Sequence, residues 1–299
     1  MPPVISAQHL RKTYKDFVAV ADASFEVEEG EIFGLLGSNG AGKTTSVECL
    51  QGLRHADGGK LRVLGLDPRA QSRELRRRIG AQLQESALPD HIRVWEALDL
   101  FSAITPGGHD WRELMEEWGL GDKRKASYHG LSGGQRQRLF IALALVNGPE
   151  VVFLDEMTTG LDPASRREAW GLIERVRDHG TTVVIVTHFM DEAERLCDRV
   201  VVIDQHRVIA TGSPAELIAR SRRVGTVTFS TDDDVSFLDD VPGVDHVSRA
   251  AAKITVTGTG PLLALVAAAL VERGIVPADL DGHRASLEDV YLDLTTGEH

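Results

Sequence analysis

Gly37-Ser38-Asn39-Gly40-Ala41-Gly42-Lys43-Thr44 is the stretch that decides the fold. It fits G-x-x-x-x-G-K-[ST] and has the flanks that pattern needs. The apolar run Ile32-Phe33-Gly34-Leu35-Leu36 before it reads as a buried strand, and residues 44–53 after it have helical spacing. A backbone that wraps a phosphate with its N–H groups pointing inward needs glycines at the bends, and the following helix start adds partial positive charge where the anion sits. Residues 37–45, ending on Thr45, are therefore the expected nucleotide-binding set. Lys43 is expected to reach the β- and γ-phosphates, and the Thr44 hydroxyl to bind Mg²⁺. The plain alternative, an ordinary glycine-rich turn in a chain with 29 glycines, does not call for the Gly-Lys-Thr ending.

Working outward, Val151-Val152-Phe153-Leu154-Asp155-Glu156 places two carboxylates at the end of an apolar strand, where open α/β sheets put their ligands. Asp155 is expected to hold Mg²⁺ and Glu156 to polarise the attacking water as general base. Residues 182–186 are a second β-branched strand, and the helical stretch 164–178 between the two gives the alternation of a parallel sheet with crossover helices. Residues 5–27 read as strands, 72–78 as helix, 79–83 as strand and 94–146 as mostly helix, broken at Pro106-Gly107-Gly108. A turn and strand over 199–210 and a helix over 214–220 follow. Beyond residue 220 the pattern changes to strand 224–230, helix 235–238, strand 246–256, helix 261–273 and a β or loop segment near Leu280, a small α+β module. Asp232-Asp233-Asp234 lacks metal-ligand spacing and reads as a solvated turn or helix cap.

Composition narrows the field. With 45 acidic and 33 basic side chains the net charge is −12, which argues against a nucleic-acid binder dependent on a positive face. The imbalance is concentrated after residue 220, where 6 Lys+Arg meet 13 Asp+Glu. The longest apolar run, residues 262–271, is ten residues long, short of the roughly 18 that a spanning helix needs. Only Cys49 and Cys197 are present, and the first ten residues lack the basic and apolar regions of a signal peptide, so a reducing cytoplasm is expected. The 42% hydrophobic and 26% charged content is that of an ordinary globular protein with a core.

The two carboxylate and phosphate motifs leave kinases, GTPases, helicases and transport ATPases open. Leu131-Ser132-Gly133-Gly134-Gln135 separates them, because here the chain resembles the ABC ATPase family, whose signature is this pentapeptide at a helix start. The rest of the family's set stands in the family's order. Tyr14 lies where the adenine-stacking aromatic is found, Gln84 in Ala81-Gln82-Leu83-Gln84-Glu85 matches the Q-loop, Asp162 in Gly160-Leu161-Asp162 the D-loop, and His188 in Val186-Thr187-His188 the switch histidine. The resemblance implies that Gln84 joins Thr44 and Asp155 around Mg²⁺, that His188 contacts the γ-phosphate, and that Leu131 to Gln135 cap ATP held by a second subunit. A second glycine-rich helix start is physically a second anion site, which suits that trans role. Ser38 and Met157 stand where the family often has proline.

The implied fold is an α/β P-loop NTPase, a RecA-like core with an antiparallel β subdomain and an inserted helical subdomain at about 90–146, plus a small C-terminal α+β domain. The domains expected are 1–220 and 221–299. Ser286-Leu287-Glu288-Asp289-Val290-Tyr291-Leu292 and the stretch from Thr187 to Glu194 resemble the bacterial drug-export, daunorubicin-resistance branch. That likeness implies an ATPase subunit, at the cytoplasmic face of the membrane, working with ABC-2 type membrane subunits and a second copy of itself. A soluble ABC protein with a non-transport role, or an ATP-gated dimerisation module, are the alternatives.

Overall fold

The computed structural model describes residues 2–82, 88–104, 108–220, 225–283 and 285–296. The chain divides into two compact units, Met1–Pro214 and Ala215–His299. The division lies six residues before the domain boundary expected from the sequence.

In the first unit the strands are β1 (Ile5–Tyr14), β2 (Phe17–Val27), β3 (Ile32–Leu36), β4 (Gly58–Val63), β5 (Ile79–Gln82), β6 (Val151–Asp155), β7 (Thr182–Thr187), β8 (Arg199–Asp204) and β9 (Arg207–Gly212). They form one sheet in the order β4-β1-β2-β9-β8-β3-β7-β6-β5. From β8 to β5 neighbouring strands run parallel. Every residue of β3, β6 and β7 is buried, as strands covered on both faces must be, and this is why their sequences are continuous apolar runs rather than alternating ones. The other end of the sheet is antiparallel, built on the β1–β2 hairpin and β4. Residues 199–210, read as one turn and strand, are two antiparallel strands joined through Gln205 and His206, both at positive φ.

Helices α1 (Lys43–Leu50), α2 (Ser72–Arg78), α3 (Val94–Ile104), α4 (Trp111–Glu117), α5 (Gly133–Leu145), α6 (Pro163–Asp178) and α7 (Met190–Leu196) connect these strands, and α8 (Pro214–Arg220) begins at the division between the units. α3, α4 and α5 form the inserted helical region. Trp111 pins α4 to α3 by donating its indole N–H to Asp99 at 2.9 Å. The first unit's core gathers the inner faces of the sheet around Leu10, Phe25, Phe33, Leu50, Phe153 and Val201.

The second unit holds β10 (Gly225–Ser230), β11 (Val244–Ala250), β12 (Lys253–Gly258) and β13 (Asp281–His283), an antiparallel sheet in the order β11-β12-β10-β13, with α9 (Leu262–Glu272) and α10 (Leu287–Thr296). One face packs Val227, Phe229, Ile254 and Val256 against Leu262, Val266 and Leu270 of α9. The single strand expected over 246–256 is a hairpin, turning at Ala251 with φ +55°. The helix expected over 235–238 is a 3₁₀ turn, Ser236–Asp240, and Asp234 before it accepts from the Ser236 amide and hydroxyl. α10 was not anticipated. The ten-residue apolar run forms α9, and among the described residues no helix is long and apolar enough to cross a membrane.

Candidate functional site

Three loops leave the same, C-terminal edge of the parallel strands, and each carries part of the expected chemistry. The loop after β3 is held in its curve by sterics. A Cβ on Gly37 would lie 2.2 Å from the Ile203 carbonyl oxygen, and one on Gly42 (φ +103°) 2.2 Å from that of Ala19. Only glycine fits either place. Gly42 caps α1 without a side chain, so the first amides of that helix stay free of side-chain acceptors. The buried Lys43 spans the loop, its Nζ donating to the carbonyls of Gly37 at 2.9 Å and Ser38 at 3.0 Å. Burial lowers its pKa, opposed by the nearby charges of Glu156 and Asp155.

Asp155 ends β6 and is 3% exposed. Burial raises its carboxyl to about 6, against the Thr44 hydroxyl that faces it, and the charge on Glu156 pushes the same way as burial. Its Oδ1 is buried without a hydrogen-bond partner. An orphaned carboxylate oxygen beside a hydroxyl is an unfinished set of hard oxygen donors, and it fits a divalent cation such as Mg²⁺. Gln84, the third expected ligand, lies outside the described residues.

Glu156, the next residue, takes φ +47°, a left-handed conformation that strains a side chain bearing Cβ. Its amide still donates to the Val186 carbonyl at 2.9 Å, which extends the β6–β7 ladder by one bond. The turn aims its carboxylate at the phosphate loop. Oε1 lies 3.3 Å from Nδ1 of His188, the residue after β7. A cavity of about 370 Å³ brings Glu156 together with Asn39, Gly40, Gly42, Lys43, Thr44 and Thr45.

That cavity is also lined by Phe17, which the sequence reading did not single out, and not by Tyr14. The two residues are partners across the β1–β2 turn. Phe17 stands 56% exposed with its ring edge-on to His206 at 5.3 Å, whereas Lys12 and Arg54 lie over the Tyr14 ring at 5.2 and 5.5 Å. An exposed aromatic across a hairpin from the expected one is the only signal the sequence held for it.

A second cavity, of about 470 Å³, joins Ser132, Gly133, Gly134 and Gln135 to Gly160, Leu161 and Asp162. It shares no lining residue with the first. Ser132 caps α5 in a capping box. Its hydroxyl accepts from the Gln135 amide at 3.3 Å, and the Gln135 side chain accepts from the Ser132 amide at 3.1 Å. Leu131 is buried beneath the turn. Asp162 caps α6, accepting from the amides of Ala164 and Ser165 and from the Ser165 hydroxyl, the bond that contributes most to lowering its pKa. Among the described residues no hydrogen bond or ion pair joins Asp162 to His188.

Comparison with known proteins agrees with this architecture. A family model described as ABC transporter matches residues 20–159. The daunorubicin resistance ATP-binding protein DrrA2 of Streptomyces coeruleorubidus is 37% identical over 306 residues, covering 97% of this chain and 94% of that protein. The Nod factor export ATP-binding protein I of Burkholderia thailandensis is 42% identical over 219 residues, 72% of each. Among solved structures, cbiO1 from Clostridium perfringens, part of an ABC transporter complex, superposes with a TM-score of 0.67 at 28% identity over 74% of this chain and 92% of its own. An ATP-binding cassette in its ADP conformation shares the fold at 22% identity, with a TM-score of 0.66 over 72% of this chain and 93% of its own. ATP-binding subunits of this kind dimerise and act with membrane-spanning permease partners. The chain belongs to the ABC transporter family, as an ATP-binding subunit and an ATPase.

Proposed function

We propose that this chain powers export of an amphipathic or hydrophobic compound through separate ABC-2 type membrane subunits, from the cytoplasmic face of the cell membrane and as a homodimer. Two relatives named for daunorubicin resistance and Nod factor export support export, one of them along almost the whole chain. The observation that carries the hydrolytic part is the convergence of Lys43, Thr44 and Glu156 on one cavity, with His188 at 3.3 Å from Glu156.

In this reading the amides of residues 37–45 wrap the phosphates of ATP, and Lys43 exchanges its two loop carbonyls for phosphate oxygens. Thr44 and Asp155, with Gln84, hold Mg²⁺, which when bound neutralises phosphate charge. Glu156 accepts a proton from the attacking water, and His188 orients that carboxylate and meets the γ-phosphate. Phe17, rather than Tyr14 alone, offers the nucleotide base an exposed ring at the cavity's edge. Ser132 and Gly134 act in trans on ATP held by the second copy, with Gly133 and Gln135 shaping the turn and Asp162 alongside.

Inside-out vesicles carrying the chain with its membrane partners test this. ATP should drive accumulation of an amphipathic dye such as an anthracycline. Glu156→Gln should keep ATP binding but lower hydrolysis by about 10²- to 10⁴-fold, the usual share of a general base, and abolish accumulation. Hydrolysis without accumulation of any amphipathic probe would reject export, and near-normal turnover in Glu156→Gln would reject the base.

A further inference from the structure

Glu192 has no part in the chemistry so far, yet it is 3% exposed, a rare place for a carboxylate. It sits in the first turn of α7, and the groups around it come from three elements. Trp170 of α6 donates its indole N–H to Oε1 at 3.1 Å. The hydroxyl of Thr187, the last residue of β7, faces the carboxylate and also accepts the Phe189 amide at 3.0 Å, closing a turn around His188. Thr158, fully buried two residues beyond Glu156, lies near the carboxylate, but its hydroxyl makes no hydrogen bond. One turn before Trp170 on the same face of α6, Arg166 lies over the Phe189 ring at 4.2 Å and reaches Asp191 at 3.5 Å. The Phe189 ring in turn packs on His188, centroid to centroid 4.1 Å.

We propose that Glu192 is a positioning residue for ATP hydrolysis, anchoring the turn that carries His188 on α6. This role rests on the reading above that Glu156 and His188 form the hydrolytic pair. That pair meets in a 3.3 Å contact between two loops, and Glu156 sits on strained backbone, so its geometry depends on what stands behind it. A buried carboxylate is costly to keep, and an apolar side chain of similar size would pack there at less cost. What the carboxylate supplies is an acceptor for the Trp170 indole beside the turn that carries His188. Burial raises its pKa, and the surrounding donors and Arg166 oppose that rise. Misplacing a reacting group by about 1 Å costs on the order of 10²-fold in rate, which is the scale on which such a clamp acts.

The test uses the full-length chain assembled with its membrane partners. Glu192→Ala should lower kcat by about 10- to 100-fold with KM for ATP within about two-fold, because the phosphate loop is untouched. Glu192→Gln, which keeps an acceptor for the Trp170 indole, should recover most of that loss. Trp170→Phe removes one donor while keeping the packing, so it should lower kcat several-fold with a smaller loss of Tm than Glu192→Ala, and this holds the test open if Glu192→Ala folds poorly. In a Glu156→Gln background, Glu192→Ala should have little further effect. Unchanged kcat in both Glu192→Ala and Trp170→Phe, or a loss that Glu192→Gln does not relieve, overturns the proposal. Normal turnover in Glu156→Gln alone would instead bring down the assignment of the hydrolytic pair, so the two failures are distinguishable.

Discussion

Glu156 shows how a single residue can work against the fold that holds it. At φ +47° a residue with Cβ costs about 1–2 kcal/mol relative to glycine, a cost opposite in sign to the usual preference for alanine over glycine. Glu156→Ala and Glu156→Gly lose the same carboxylate and the same contact with His188, so comparing them isolates the backbone. Glycine should be the more stable of the two by about 1 kcal/mol, read as Tm or as the denaturant midpoint. Alanine equal to or above glycine would mean that the left-handed turn is not strained. The motif that named Glu156 was legible because its chemistry is tied to sequence position, the residue after Asp155 at the end of an apolar strand. Phe17 and Glu192 carried no such mark. Phe17 becomes relevant only because a hairpin register sets it across from Tyr14, and Glu192 only because α6 and β7 bring Trp170 and Thr187 to it.

At the scale of elements, α5 combines two roles at one residue. Ser132 satisfies the Gln135 amide, which stabilises the helix start, and it also lines the second cavity, where the proposal needs it to meet an anion. The roles separate by substitution. Aspartate caps a helix as well as serine but repels phosphate, whereas alanine loses the cap at a cost of about 1 kcal/mol. Ser132→Asp should therefore keep the wild-type Tm and the monomer's ATP affinity while blocking hydrolysis by the assembled dimer. If it hydrolyses normally, no phosphate approaches this helix start. Elements were readable where punctuation was strong, as at Ser132 before α5 or Asp162-Pro163 before α6. They were misread where it was missing. Ala250-Ala251-Ala252-Lys253 has no glycine, proline or asparagine, and only backbone geometry shows that Ala251 turns a hairpin there. The parallel strands were legible for the opposite reason, since burial on both faces forces unbroken apolar runs.

Over the whole molecule, the charge of −12 gives no general attraction for ATP, so in the proposed reading binding depends on the amides of residues 37–45, on Lys43 and on a cation that Asp155 would hold. The share of that charge beyond residue 220 falls in a unit with its own core and sheet, where Asp233 and Asp234 are engaged by Thr231 and Ser236. The two cavities of the first unit, which have no residue in common, lead further. If each ATP is enclosed by the phosphate loop of one copy and the signature of the other, defects in the two cavities complement. Lys43→Ala and Ser132→Asp chains should each be inactive alone. Mixed in equal amounts, about half of the dimers would pair one of each, and each such dimer would carry one interface with both defects and one with neither. About a quarter of the enclosed sites should then be sound, and hydrolysis should reappear on mixing. Two chains that are both dead would between them make a live enzyme, and a mixture that stays inactive would show that each chain needs its own two halves intact.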